Sequence, residues 1–174
     1  MNLKQLYKPI YVIGISLLCH SCVFYSFSGT SLSKEVKTFS IQRFQSRATL
    51  GPADLAEQLT EKLSNELLQK TPLKQLDANG DIEFEGSITE LKYSPMTPSI
   101  SPEGDVASRT KLTLTVEVTY INKYDQEFEF SKKNFTQSAD MDATANIITE
   151  EPRMVEEVLA KLVKDIFNAS VASW

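Results

Sequence analysis

The run Arg109-Thr110-Lys111-Leu112-Thr113-Leu114-Thr115-Val116-Glu117-Val118-Thr119-Tyr120 alternates polar and apolar side chains without a break from Lys111 onward. A period of two is the period of a strand. It puts Leu112, Leu114, Val116, Val118 and Tyr120 on one face and Lys111, Thr113, Thr115, Glu117 and Thr119 on the other. One dry face and one wet face describe an antiparallel sheet covered on one side only. Asn122-Lys123-Tyr124-Asp125 turns the chain into a partner strand over Phe128–Ala139. There the apolar parity slips between Phe128, Phe130 and Phe135, so a bulge is expected near Lys132-Lys133.

Working outward, Asn79-Gly80 is a turn signal, and a second alternating strand follows it. Ile82, Phe84 and Ile88 share one of its faces and Glu83, Glu85 and Thr89 the other. Residues 94–108 hold Pro95, Pro98 and Pro102 and show no periodicity; a loop of this length is either functional or an unstructured connection. Upstream, Leu55, Leu59, Leu63 and Leu67 recur every four residues, which predicts a helix over residues 53–70. Ala56 and Leu68 widen its stripe, Gly51-Pro52 precedes it and Pro72 ends it. Val36–Phe44 reads as a strand with Phe39 and Ile41 on one face. A last helix is expected over residues 150–172, with Thr149 as N-cap, Glu150 and Glu151 complementing the dipole, and Pro152 in the first turn. Val155, Val158, Leu159, Leu162, Val163 and Ile166 form its apolar face. The expected fold is α+β: a two-layer sandwich of a roughly four-stranded, mostly antiparallel sheet on two helices, in the order β-α-β-β-β-α. Residues 35–174 make up this single domain.

The chain has 174 residues, 41% hydrophobic and 24% charged, with a net charge of -5. The acidic balance argues against nucleic-acid binding, which depends on Lys and Arg neutralising phosphates. Its one His and two Cys all lie within residues 19–22. Everything after Cys22 therefore lacks the side chains of most zinc sites, cysteine nucleophiles and histidine-based triads. Glu83 with Glu85 and Asp140 with Asp142 read as solvated pairs, since no nucleophile or Gly-rich phosphate loop accompanies them. No catalytic residue, metal ligand or cofactor is expected.

Lys4 and Lys8 precede an apolar run, Ile10–Cys19, that is about half the ~20 residues a membrane-spanning helix needs. A basic start and a short apolar core describe a secretory signal over residues 1–21. Ser21-Cys22 resembles a bacterial lipobox, with Cys22 as the lipidated first residue of the mature chain. Residues 22–34 would then be a tether carrying apolar side chains. Two other readings stand beside it: an ordinary cleaved signal, and Cys19 with Cys22 as a redox or metal-binding C-x-x-C pair.

The order of several short motifs carries a resemblance. The cysteine is followed at once by Tyr25-Ser26-Phe27-Ser28-Gly29-Thr30-Ser31. Then come Val36-Lys37-Thr38, the Leu-rich helix, Asn79-Gly80-Asp81-Ile82-Glu83-Phe84-Glu85-Gly86, and a last helix closing with Trp174. This is similar to the LptE family of lipopolysaccharide-assembly lipoproteins. The resemblance implies a sheet with two helices, anchored to the outer membrane through lipid (palmitate among its chains) and facing the periplasm. It also implies a large β-barrel partner of the LptD type, which the lipoprotein plugs and helps to assemble, and contact with lipopolysaccharide. Arg109, Lys111, Lys132 and Lys133 are the basic residues expected to meet lipid A phosphates if they form one patch, where charge-assisted bonds are strong. The competing reading is edge-strand protection by lysine. The alternative function is an auxiliary or substrate-binding lipoprotein of an ABC-type lipid transport system. The Tyr25–Ser31 segment and the 94–108 loop are the expected barrel contacts.

Overall fold

The alternating run forms strand β7, Arg109–Asn122, at the centre of the molecule's computed structural model, which describes residues 32–96, 99–100 and 106–172. Before it come β1 (Thr38–Ile41), β2 (Gln45–Ser46), helix α1 (Leu55–Lys70), β3 (Lys74–Leu76), β4 (Ile82–Pro95), β5 (Ser99–Ile100) and β6 (Val106–Ala107). After it come a 3-10 turn at Gln126–Phe128, β8 (Phe130–Asp142) and helix α2 (Ile147–Ser170). The fold is an α+β sandwich with two helices on one sheet, but the four-stranded sheet and the β-α-β-β-β-α order are corrected. Among the described residues the main sheet has six strands, ordered β3-β1-β4-β7-β8 with β2 also on β4, and β5 pairs with β6 as a separate small hairpin. The sheet is also mixed rather than mostly antiparallel: β1 runs parallel to β3 and β4, β2 parallel to β4, and the remaining pairs are antiparallel. The two added strands, β2 and β3, are two and three residues long with every residue exposed, so they carry no alternation to read.

The helix side of the sheet is built from the dry faces of three long strands. Ile82, Phe84 and Ile88 of β4 lie level with Asn122, Tyr120 and Val116 of β7, and Phe135 and Ala139 of β8 continue the same face. These side chains form one core with Leu55, Leu59, Leu63 and Leu67 of α1 and with Val158, Leu159, Leu162 and Ile166 of α2. The two helices run in the same direction, since Lys62 reaches Glu156 at 2.6 Å and Lys70 lies over the Phe167 ring at 5.5 Å. Leu68 falls outside the stripe and is exposed, because one step from Leu67 turns about 100° around the helix axis. α2 begins earlier than the apolar pattern indicates: Asn146 is the N-cap, its side chain accepting from Ile148 N at 2.9 Å. Pro152 therefore lies inside the helix rather than in its first turn.

Two glycines are required by close approach. Residues 77–81 connect the parallel strands β3 and β4 by crossing over β1, far shorter than the dozen or more residues such a connection usually takes. Asn79 adopts φ 57°, and a side chain on Gly80 would meet the Phe39 and Ser40 backbone at 2.5 Å. At Gly86 the Phe44 ring fills the space that a β-carbon would need, at 2.6 Å.

Candidate functional site

With both helices on one side, the other face of the sheet carries no helix. Its side chains are Glu83 and Glu85 of β4, Lys111, Thr113, Thr115, Glu117 and Thr119 of β7, and Asn134, Thr136, Ser138 and Asp140 of β8. The Thr115 and Thr136 hydroxyls meet across the β7–β8 pair at 3.0 Å. The face is hydroxyl-rich and partly exposed along β7. Over β4 and β7 a cleft of about 200 Å³ brings Arg43, Arg47 and Lys132 around Glu85, Glu117 and Thr119.

The four predicted basic residues do not form one patch. Lys111 pairs with Asp140 and Arg109 with Asp142 at one end of the β7–β8 ladder, so each cation stands opposite a carboxylate-bearing residue. Lys133 pairs with Val118, seven residues along β7 from Lys111 and roughly 23 Å away at a strand's rise. Lys133 belongs to the helix side, with its ammonium over the Phe130 and Phe135 rings at 5.2 and 5.4 Å. Lys132 goes the other way. The ladder shifts register between Val118 and Tyr120, which is the expected bulge, and Lys132 sits in it at φ 52°. Bulges re-aim side chains, and this one brings Lys132 to the cleft of the open face. Its companions there, Arg43 and Arg47, were not singled out by the sequence pattern. They flank β2, which breaks away from β1 after Ile41, and no periodicity marks them. Arg43 also pairs with Glu57 at 2.9 Å.

The carboxylates considered for catalysis do not gather. Glu83 pairs with Lys123 at 2.9 Å. Among the described residues no group of three or more His, Cys, Asp or Glu could hold a metal ion. Groups with displaced pKa values owe them to structural bonds. The Lys37 and Thr38 backbone N–H groups and the Thr38 hydroxyl donate to Asp81 Oδ2 at 2.8–2.9 Å, which holds its carboxyl below the ordinary 3.8 against the opposing effect of burial. A hydrogen bond from Lys161 lowers Glu157. Burial pushes the Tyr120 phenol up to about 12. Burial, with Glu151 accepting from its hydroxyl, raises Tyr93.

Cys22, the signal over residues 1–21 and the Tyr25–Ser31 segment lie outside the described residues. Of the 94–108 loop, β5 and β6 are described as a two-stranded pair. Among the described residues no helix is long and apolar enough to cross a membrane.

Residues 36–170 match the family model described as LptE, lipopolysaccharide-assembly. Solved structures similar to the chain include a hypothetical protein of Chlamydia trachomatis, with a TM-score of 0.48 and 9% identity over 78% of this chain and 98% of that one. A minor lipoprotein of Acinetobacter baumannii has a TM-score of 0.44 and 15% identity, covering 75% of this chain and 89% of its own. The rare lipoprotein B of Shewanella oneidensis has a TM-score of 0.42 and 17% identity, again covering 75% and 89%. No curated protein is significantly similar to the chain in sequence.

Proposed function

Since the chain belongs to the LptE family of non-catalytic, lipopolysaccharide-assembly lipoproteins of the outer membrane, we propose that it seats in a large β-barrel partner of the LptD type, helps that barrel assemble and binds lipopolysaccharide in passage. The match over residues 36–170 is the observation that carries this reading. The open sheet face supports it. Outer-membrane barrels have polar interiors, and a plug for such a lumen needs a polar, hydrogen-bonding wall such as the threonine-rich side of β7 and β8. Lipid attachment at Cys22, after removal of residues 1–21, would hold the domain at the membrane.

For lipopolysaccharide, the favoured contact is Lys132 with Arg47 at the cleft of the open face, where ammonium and guanidinium groups suit phosphate oxygens; Arg43 lines the same cleft but is paired with Glu57. Arg109 faces Asp142, Lys111 faces Asp140, and Lys133 is engaged with aromatic rings, so these three rank behind it. The test is a gentle-detergent pull-down from native membranes through a C-terminal tag, with mass spectrometry of the captured proteins. One large outer-membrane barrel at near-equal stoichiometry is the expected result. Capture of inner-membrane ATPase or permease subunits without a barrel would overturn it.

A further inference from the structure

A sheet gains strands at its edges, and β8 is an edge of this one. Hydrogen bonds where β7 begins show which way its peptide groups point. The Ser108 carbonyl accepts from Ala143 N at 3.0 Å on the β8 side, and the Arg109 carbonyl accepts from Met96 N at 2.8 Å on the β4 side. Even-numbered residues of β7 therefore bond to β8, while Thr115, odd-numbered, turns its carbonyl to the Thr89 hydroxyl of β4. Leu112, Leu114 and Val116 lie opposite Ala139, Gln137 and Phe135, so these are the pairs that exchange backbone bonds. Asn134, Thr136, Ser138 and Asp140 consequently turn their N–H and C=O groups outward. Half of this outer edge is covered. Lys161 of α2 donates to the Ser138 carbonyl at 2.9 Å and Arg153 to the Asp140 carbonyl at 3.3 Å. The Asn134–Thr136 half is not: both residues are exposed, and among the described residues nothing bonds to their outward N–H and C=O groups. Lys132 and Lys133 stand just before them, exposed and without an ion pair among the described residues.

We infer that the Asn134–Thr136 edge of β8 receives one extended, acidic segment of a partner protein, which adds a strand to the sheet. Main-chain bonds to the outward groups of Asn134 and Thr136 supply affinity, and alternate side chains of the segment supply selectivity. Lys132 serves the open face and Lys133 the helix side, so carboxylates on either face of the added strand meet a cation across the pair. A second copy of the chain fits less well. α2 lies over β8, with Gln137 donating to Asp165 at 2.5 Å beside the Lys161 contact. Paired strands are about 4.8 Å apart whereas packed helices need about 8–10 Å, so two copies joined edge to edge would drive one α2 into the other. A bare segment brings no helix. The inference stands on register, exposure and charge, and does not rest on the lipopolysaccharide reading.

The test uses the full-length protein in mild detergent with synthetic probes: a Thr/Val peptide carrying glutamates, its lysine counterpart, and the glutamate peptide N-methylated at alternate residues in either parity. Amide hydrogen exchange reads the site. The glutamate peptide should slow exchange at Asn134 and Thr136 several-fold, less so at high salt, and the lysine peptide should not at the same concentration. Methylation in one parity should weaken binding at least about tenfold through lost ladder bonds, while the other parity leaves it intact. Lys133→Glu should shift the preference toward the lysine peptide. Thr136→Pro removes an outward N–H without taking a bond from β7 and should weaken binding several-fold; the methylated probes ask the same question of the unaltered chain. No slowing at Asn134 and Thr136 with millimolar glutamate peptide would overturn the inference, as would equal binding of the two methylated forms. Dimerisation that protects the same amides without peptide would give the edge to a second copy and overturn it too.

Discussion

The backbone N–H of Lys132 donates to the Thr119 hydroxyl at 3.2 Å, bridging the bulge that holds Lys132 in the left-handed region at φ 52°. A side chain other than glycine pays roughly 1–2 kcal/mol for that conformation. Backbone strain of this kind concentrates where a residue has work to do. Lys132→Gly should accordingly keep or raise stability by up to about 1 kcal/mol while weakening lipopolysaccharide binding. Denaturant unfolding together with a direct binding assay checks both halves; lower stability with unchanged binding would make the bulge a purely structural device.

Charge reversal separates the two ends of the β7–β8 ladder. Lys132→Glu with Arg47→Glu should weaken lipopolysaccharide binding by at least about tenfold, as expected for loss of charge-assisted bonds worth roughly 1.5 kcal/mol or more. Arg109→Glu with Lys111→Glu should have the smaller effect, since both positions already face carboxylate-bearing partners. Equal losses from the two pairs would deny the cleft any special part.

Asp81 fastens β1 beside β4 through three hydrogen bonds to one carboxylate oxygen. The group is only partly buried, so the net loss in Asp81→Ala is expected to be about 1 kcal/mol. Its pKa is lowered in the folded state. The charged form is thus the one the fold favours, and its stabilisation is fully present above the ordinary value of 3.8. It fades as pH falls below 3.8 toward the folded value. Unfolding midpoints at pH 7 and across pH 2–4 (about the range in which a paired aspartate titrates) should show the variant losing less stability to acid than the parent.

The caps of α2 make a sharp comparison. Asn146→Ala removes the side-chain acceptor for Ile148 N and should cost about 1 kcal/mol. Thr149→Ala, at an exposed position already inside the helix, should change stability by only a few tenths of a kcal/mol. Chemical denaturation of the two variants decides between the observed cap and the one suggested by the apolar pattern.

Gly86→Ala would drive a methyl group into the Phe44 ring and the Glu117 carbonyl, at 2.6 and 2.3 Å. Overpacking of this sort costs about 1–3 kcal/mol, and the Glu117 carbonyl belongs to a central strand that has little room to move. Thermal unfolding should show the loss, and Phe44→Ala in the same chain should recover part of it if the ring is the principal obstacle.

The long elements could be read from the chain because their signals are local and repeat. Leu55 to Leu67 declares α1, and the alternation from Lys111 to Tyr120 declares β7. The slipped parity between Phe130 and Phe135 announces the bulge before any partner strand is known. The start of α2 was not legible for the converse reason: Ile147 and Ile148 are exposed, so the first turn bears no buried stripe. β2 and β3 are too short to hold a period, and they exist only because β1 and β4 offer unpaired edges. The basic residues depend on register most of all. Whether Lys111 meets Lys132 or Asp140 is settled by which residues lie opposite after the 122–125 turn, and no local pattern encodes it. Pairing placed Asp140 and Asp142 beside Lys111 and Arg109, and turned Lys132 and Lys133 to opposite faces at the far end. Arg43 and Arg47 reached Lys132 because the chain breaks between β1 and β2 and both segments dock on β4. Side-chain periodicity is written one residue at a time, whereas a surface cleft is assembled from strands that meet only in the folded chain.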